Sequence, residues 1–399
     1  KTIEQMSEDR AFNAVYFMNY MIAQCHNLQA SDLHLTPKGK SMTVAVRVEG
    51  TLYDVVDLPG EVVDHVLRRI KIMSSLNVYA RETPQDGRIQ VKIMGEDIDI
   101  RVSMLPTIHG EKSVLRFFIT PLHLMSLQNL GINRKTLDAY NEVYTKPQGT
   151  IFMTGPTGSG KTITAYATLN AIKKQKGGKV NIVSIENPVE FDLEFVNQTQ
   201  VNDKVGLTFA VGLRSLLRQD PDVILIGEIR DRETAEIAMQ AGNTGHLILS
   251  SVHTDSTAGA FTRVINMGIE PFVLASASSA VMSQRLVRKL CPHCREKTEV
   301  TQGQLKKLAK LGVGLADNDR TFMISKGCKK CMGMGIMGRT GIYELLIVDD
   351  NVIDDIVSKR PAQTIYAGCI NRGMVSIIHE GLEKARQGVI GIDELLTVL

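Results

Sequence analysis

Apolar positions recur at helical spacing in residues 11–28 and again in residues 61–76, where Val62, Val63, Val66, Leu67, Ile70 and Met73 fall on one face. Around them the pattern switches to alternation: residues 43–48, 88–93 and 98–102 turn every second side chain to the same side, as half-buried strands do. Residues 1–120 therefore predict a mixed helix-and-strand domain. Residues 121–133, with Pro121 and Gly131, read as a linker, and from Arg134 a different pattern sets in. Residues 149–154, 182–185, 223–226 and 246–252 are apolar runs, which suit parallel strands covered on both faces. Residues 163–174 predict a helix shortly after the first of these runs. The expected core spans 134–290; residues 291–341 turn rich in Cys, Lys, Gly and Met, and residues 342–399 read as mostly helical. No internal repeat or long low-complexity tract interrupts this order.

At 399 residues the chain is too long for a single small module. Its 46 basic and 43 acidic residues leave a net charge of only +3, aromatic residues make up 5%, and Trp is absent, so a dominant nucleic-acid surface is not expected. No apolar run approaches the ~18 residues of a membrane span. The best candidate, residues 272–282, is short and rich in Ala and Ser, and the sequence shows no signal peptide. The chain opens on Lys1 rather than Met, which leaves room for an upstream region.

Chemistry enters at Gly155, Pro156, Thr157, Gly158, Ser159, Gly160, Lys161 and Thr162, a phosphate-binding loop set between an apolar run and a helix. Backbone N–H groups of such a loop turn inward on phosphates, and side chains at Gly155, Gly158 and Gly160 would obstruct that approach. Lys161 reaches the β and γ phosphates. The Thr162 hydroxyl suits Mg²⁺, and the helix N-terminus favours the phosphate charge. The chain is thus expected to bind a nucleoside triphosphate.

Two later strands end on carboxylates. The run 223–226 leads to Glu228, suited to hold Mg²⁺ through water or to polarise an attacking water, and the run 182–185 leads to Glu186, suited to orient water or act as a base. Spacing does not divide that work between them. His246 and His253 bracket another strand, and His246, directly after Gly245, is taken as the nucleotide sensor. Arginines at 88, 101 and 116 in the first domain and 214, 218 and 230 in the second are candidates for the charge developing on a transferred phosphoryl group. Spacing selects none of the six.

Of six cysteines, Cys25 and Cys369 stand alone, while Cys291, Cys294, Cys328 and Cys331 form two C-x-x-C pairs. Four thiolates suit a tetrahedral structural Zn²⁺, with a helix over residues 302–311 filling the stretch between the pairs. Disulfides and idle thiols are the alternatives, and a reducing compartment disfavours the first.

These motifs resemble those of the ATPases that power type II secretion and type IV pilus assembly, over nearly the whole chain. The resemblance is carried by Ala30-Ser-Asp-Leu-His34, Pro84-Gln-Asp-Gly-Arg88, Ile100-Arg-Val-Ser103, Gly110-Glu-Lys112, the loop at 155–162, Arg218-Gln-Asp-Pro-Asp222, Gly227-Glu-Ile-Arg-Asp231, Thr244-Gly-His246, Gln284-Arg-Leu286 and Gly338-Arg-Thr-Gly341. It implies an α/β protein in which a PAS-like N-terminal domain precedes a RecA-like ATPase domain with a small zinc-binding subdomain and a helical C-terminal region. It also implies a homo-hexamer that uses ATP and Mg²⁺, sits in the cytoplasm at the inner-membrane face, and drives an integral platform protein.

Residue by residue, Glu186 matches the family's acidic box, Glu228 its Walker B glutamate, His246 its His box, and Arg88 and Arg101 the arginines brought to the γ-phosphate by the N-terminal domain. Arg214, Arg218 and Arg230 match further site arginines. The cysteine pairs resemble the metal subdomain of assembly and secretion members, which the retraction branch typically lacks. Asn187 stands where Asp is usual, Ser251-Val-His-Thr-Asp-Ser256 departs from Thr-Leu-His-Thr-Asn, and many members carry a further upstream domain that docks on a membrane partner. The rival classes are a hexameric nucleic-acid translocase and a non-hydrolysing nucleotide-binding regulator.

Overall fold

Two units separate by contact, Lys1–Thr120 and Pro121–Leu399. The computed structural model describes residues 12–28, 30–48, 50–93, 95–118, 124–316, 319–331 and 333–399. Residue 11 of the first expected helix and residues 121–123 of the expected linker lie outside the described residues.

In the first unit, α1 (Ala14–Asn27) starts where the Asn13 side chain accepts from the N–H groups of Val15 and Tyr16. It is followed by β1 (Asp32–Lys38), β2 (Ser41–Val48), β3 (Thr51–Pro59), α2 (Gly60–Met73), β4 (Gln85–Ile93), β5 (Glu96–Thr107) and β6 (Gly110–Phe118). The strands form one antiparallel sheet in the order β3-β2-β1-β6-β5-β4. Phe17, Met18 and Met21 of α1 and Val62, Val66 and Ile70 of α2 share a core with the inward residues Leu33, Leu35, Val44, Ile100 and Leu115. Glu111 is buried against Lys71, whose Nζ also donates to the carbonyl of Ala80 at 2.7 Å, so the Gly110-Glu-Lys112 segment has a structural reason for its acid.

The second unit runs α3 (Arg134–Tyr144), β7 (Gly149–Thr154), α4 (Lys161–Gln175), β8 (Ile182–Glu186), β9 (Asn197–Gln200), α5 (Phe209–Leu216), β10 (Val223–Ile226), α6 (Arg232–Asn243), β11 (Leu247–Val252), α7 (Thr257–Asn266) and α8 (Pro271–Ala277). It continues with β12 (Ser278–Leu290), β13 (Arg295–Glu299), α9 (Gln302–Lys310), β14 (Thr321–Ser325), β15 (Ile336–Ile347), α10 (Asp350–Val357), α11 (Ala362–Asn371), α12 (Ile377–Arg386) and α13 (Ile392–Val398).

Its main sheet has the order β15-β12-β7-β11-β10-β8-β9, parallel except for β15 against β12. Strands β7, β8 and β10 are buried along their whole length. Their alternate residues feed two cores: Phe152, Val183, Ile185, Ile224 and Ile226 on one face, and Ile151, Met153, Ile182, Val223 and Leu225 on the other. Two covered faces are why these strands read as apolar runs rather than as alternation.

Residues 272–282, a single run in the sequence, are divided between α8 and β12. The strand was not expected because the buried Ser278, Ser279, Ser283 and Gln284 break its apolar pattern. Strand β15 was also not expected, and it runs through residue 341, where the cysteine-rich segment was expected to end. Its buried Glu344 accepts from the hydroxyls of Thr257 (2.7 Å) and Tyr366 (2.8 Å) and from the N–H of Ile377 (3.0 Å), tying the sheet edge to α7, α11 and α12. Among the described residues, no helix is long and apolar enough to cross a membrane.

Candidate nucleotide site and cysteine cluster

The loop leaves the carboxyl end of β7, with Gly155 at φ 136°, Gly158 at 78° and Gly160 at 89°. At Gly155 the requirement is also steric, since a Cβ would lie 2.4 Å from the Gln284 carbonyl and 2.7 Å from the Ser159 hydroxyl. Pro156, Thr157 and Gly158 are exposed at the crown, whereas Ser159 is buried and its carbonyl accepts from the Gln284 amide at 2.7 Å. Lys161 opens α4 and folds back beneath the loop, donating to the carbonyls of Gly155 (2.7 Å) and Pro156 (3.0 Å). Burial pushes its amine down, the charge of Glu228 pulls it up, and Arg285 pushes it down again. Thr162 follows, half-buried, on the first turn of the helix.

Parallel register brings the acids to the same edge. Thr154 lies beside Val252, Ile226 beside Ser250 and also beside Ile185, so Glu186, Glu228 and His253 all emerge where the loop does. The Glu228 carboxylate accepts from Arg230 at 2.5 Å and contacts His253 Nε2 at 2.9 Å. Glu186 is buried, and Tyr166, Ser184 and Gln198 surround its carboxylate.

The cysteines lie at the far end of β12. Cys291 follows that strand and Cys294 precedes β13, while Cys328 and Cys331 sit between β14 and β15. Pairing of β13 with β14 brings the two knuckles together. Sulfur separations are 3.9 Å for Cys291–Cys328, 3.9 Å for Cys294–Cys331 and 3.7 Å for Cys328–Cys331, and all four sulfurs lie within 4.8 Å of one another. A tetrahedron of ~2.3 Å Zn–S bonds has S···S edges of about 3.8 Å, whereas a disulfide needs about 2.05 Å. The thiols are free, and their spacing fits the metal. Desolvation acts against ionisation of Cys331, but the N–H groups of Cys328 and Gly335, 3.1 and 3.2 Å from its sulfur, hold its thiol down to about 6.

A sequence profile described as "Type II/IV secretion system protein" matches residues 7–397. The type II secretion system protein E of Pseudomonas aeruginosa is 42% identical over 398 residues, covering all of this chain and 78% of that protein. The chain belongs to the type II/IV secretion system protein family. The type IV pilus assembly ATPase PilB of Thermus thermophilus is 40% identical over 95% of this chain and 42% of its own, longer length. The fold is shared with the Legionella pneumophila ATPase DotB, at a TM-score of 0.70 over 98% of this chain and 97% of that one, with 18% identity.

Within this member of the secretion family the two histidines stand at opposite edges of the sheet. Gly149 is paired with Leu247, so His246 lies at the amino edge of the sheet, the length of β7 away from the loop, with its ring on the Ala241 carbonyl at 3.2 Å. Six residues at ~3.3 Å each put about 20 Å between the two edges. The histidine at Glu228 is His253. The ligand-edge rule for open α/β sheets favours it, because it follows its strand as the loop follows β7.

The arginines divide similarly. Arg230 reaches Glu228, whereas Arg214 pairs with Glu233 at 2.7 Å and Arg218 donates to the Arg214 carbonyl at 2.9 Å. In the first unit, Arg88, Arg101 and Arg116 are direct cross-strand neighbours on β4, β5 and β6 and form one exposed row. Arg88 pairs with Asp99, and Arg116 pairs with Asp32 at 2.9 Å. Tyr166, Gln198, Gln284 and Arg285 were not singled out from the sequence. Of these, only Gln284 and Arg285 fell inside a quoted motif.

Proposed function

We propose that the chain is an ATP-hydrolysing motor subunit of a type II secretion or type IV pilus assembly machine. The observation that carries this reading is the arrival of Lys161, Glu186 and Glu228 at one edge of one sheet. In this reading the loop N–H groups and Lys161 hold the phosphates, Thr162 and Glu228 hold Mg²⁺, and Glu228 with His253 polarises the attacking water. Mg²⁺, when bound there, would offset the charge developing on the phosphates. Arg88 and Arg101, with Arg116 beside them on the same sheet, are the arginines that the motif resemblance assigns to the γ-phosphate. Arg214, Arg218 and Arg230 serve the same site or a neighbour's.

Residues 1–120 act as the PAS-like domain, 134–290 as the RecA-like core, 291–341 as the zinc subdomain and 342–399 as the helical region. The subunit works as a homo-hexamer in the cytoplasm and passes displacement to an inner-membrane platform protein. The names of its relatives support the machine, and the edge geometry supports the chemistry.

Steady-state turnover with Mg-ATP tests it. Lys161→Ala should abolish hydrolysis, and Glu228→Gln should keep nucleotide binding while reducing kcat by at least about 10²-fold. Undiminished turnover in the second variant removes Glu228 from the mechanism. Absence of basal hydrolysis in the wild type leaves the regulator reading, and a salt-sensitive shift of DNA in a gel restores the translocase reading.

A further inference from the structure

The two edge carboxylates live in different surroundings. Glu228 is itself 8% exposed, but the side chains that meet it, Arg230 at 64% and His253 at 52%, are more than half exposed. Glu186 is 3% exposed and both its oxygens are engaged. Oε2 accepts from the Tyr166 phenol at 2.5 Å, and Oε1 accepts from the Ser184 hydroxyl at 2.6 Å and the Gln198 amide at 3.1 Å. Gln198 is itself fixed, donating to the Phe191 carbonyl at 3.1 Å and accepting from the Leu193 N–H at 2.8 Å.

A buried carboxylate with three donors is a poor way to gain stability, because apolar side chains of the same volume commonly serve as well or better. Its placement is functional in kind: a Cβ on Gly227 would come within 3.3 Å of the Glu186 Cα, so Glu186 lies directly against the turn into Glu228. Tyr166 sits five positions beyond Lys161 on α4, the helix that closes the phosphate loop. Burial and the Glu186 charge push its phenol well above the usual range, which keeps it a donor.

We propose that Tyr166 is a positioning residue for nucleotide hydrolysis: its phenol, with Gln198, holds the Glu186 carboxylate against Gly227 and acts on turnover through Glu186. The proposal rests on the reading of Glu186 as a site carboxylate. Two donors come from the neighbouring strands β8 and β9, and the third from the loop's own helix, so the cage spans the phosphate loop and the acid edge.

The test uses the full chain as Tyr166→Phe, Glu186→Gln and the double variant, with kcat and KM measured for Mg-ATP. Tyr166→Phe should lower kcat about 10-fold, as expected for one hydrogen bond to a charged group, with KM within about twofold. In the Glu186→Gln background the same change should cost little more.

Equal losses in both backgrounds would show that the ring acts by packing and would overturn the proposal alone. Wild-type kcat in Glu186→Gln would remove Glu186 from the site and the proposal with it, a result distinct from equal losses. Should Tyr166→Phe melt early, Gln198→Leu is the second variant, and a kcat there equal to wild type would overturn the cage.

Discussion

The loop edge and the cysteine cluster are both prepared for a cation-dependent guest, yet they are assembled in opposite ways. The loop edge collects side chains from the ends of β7, β8, β10 and β11, which parallel pairing alone makes neighbours. The cluster draws four sulfurs from two short knuckles whose spacing is set locally, with one two-stranded sheet to join them. An edge built by topology depends on the whole unit, and its residues are hard to rank from spacing. A cluster built locally announces its sulfurs in the sequence, and a metal bound there would hold it closed.

The strongest break of this comparison is removal of one sulfur. Cys331→Ser should reduce bound zinc from about one ion per chain to far below that, measured by metal analysis of unstripped protein, and should open residues 291–341 to protease first. Wild-type protein with no zinc would undo the cluster's side of the contrast.

The next effect separates the two edges of the sheet. His253→Ala should lower kcat by roughly 10²-fold while His246→Ala stays within about twofold. The reverse order would restore the assignment made from the motif. The smallest effect tests how independent the cluster's surroundings are. Thr301 and Gln304 form a reciprocal cap at the start of α9. Thr301→Ala should lower stability by about 1 kcal/mol, seen in Tm, with ATP turnover unchanged. A change in turnover would mean that the two regions are not separable.

Much of this was legible in the sequence for physical reasons that differ by region. Gly155 to Thr162 are readable because a phosphate loop demands residue types in a row, and the cysteines because two pairs suffice for a tetrahedron. Strands β7, β8, β10 and β11 showed as apolar runs because both faces are covered. What stayed hidden was whatever depends on pairing between distant segments. His253 could not be separated from His246 without the sheet direction, and β12 was masked by buried Ser283 and Gln284, the second of which donates its amide N–H to the Ser159 carbonyl of the loop. No motif marks Tyr166, and it is the hydrogen bond to Glu186 that draws it to the site.

Strand β12 belongs to both regions. Gln284 in its middle grips the Ser159 carbonyl, and seven residues later Cys291 supplies the first sulfur, a span of about 23 Å at ~3.3 Å per residue. Successive side chains on a strand point to opposite faces, so one residue added between these positions would turn either the amide or the thiol away from its partner. The pairing with β15 already spends its irregularity near the cysteine end, between Arg288 and Leu290, opposite Gly338 at φ 76°. The distance from Gln284 to Cys291 is thus a gauge length, and a lineage that altered it would have to rebuild the phosphate loop or the metal knuckle.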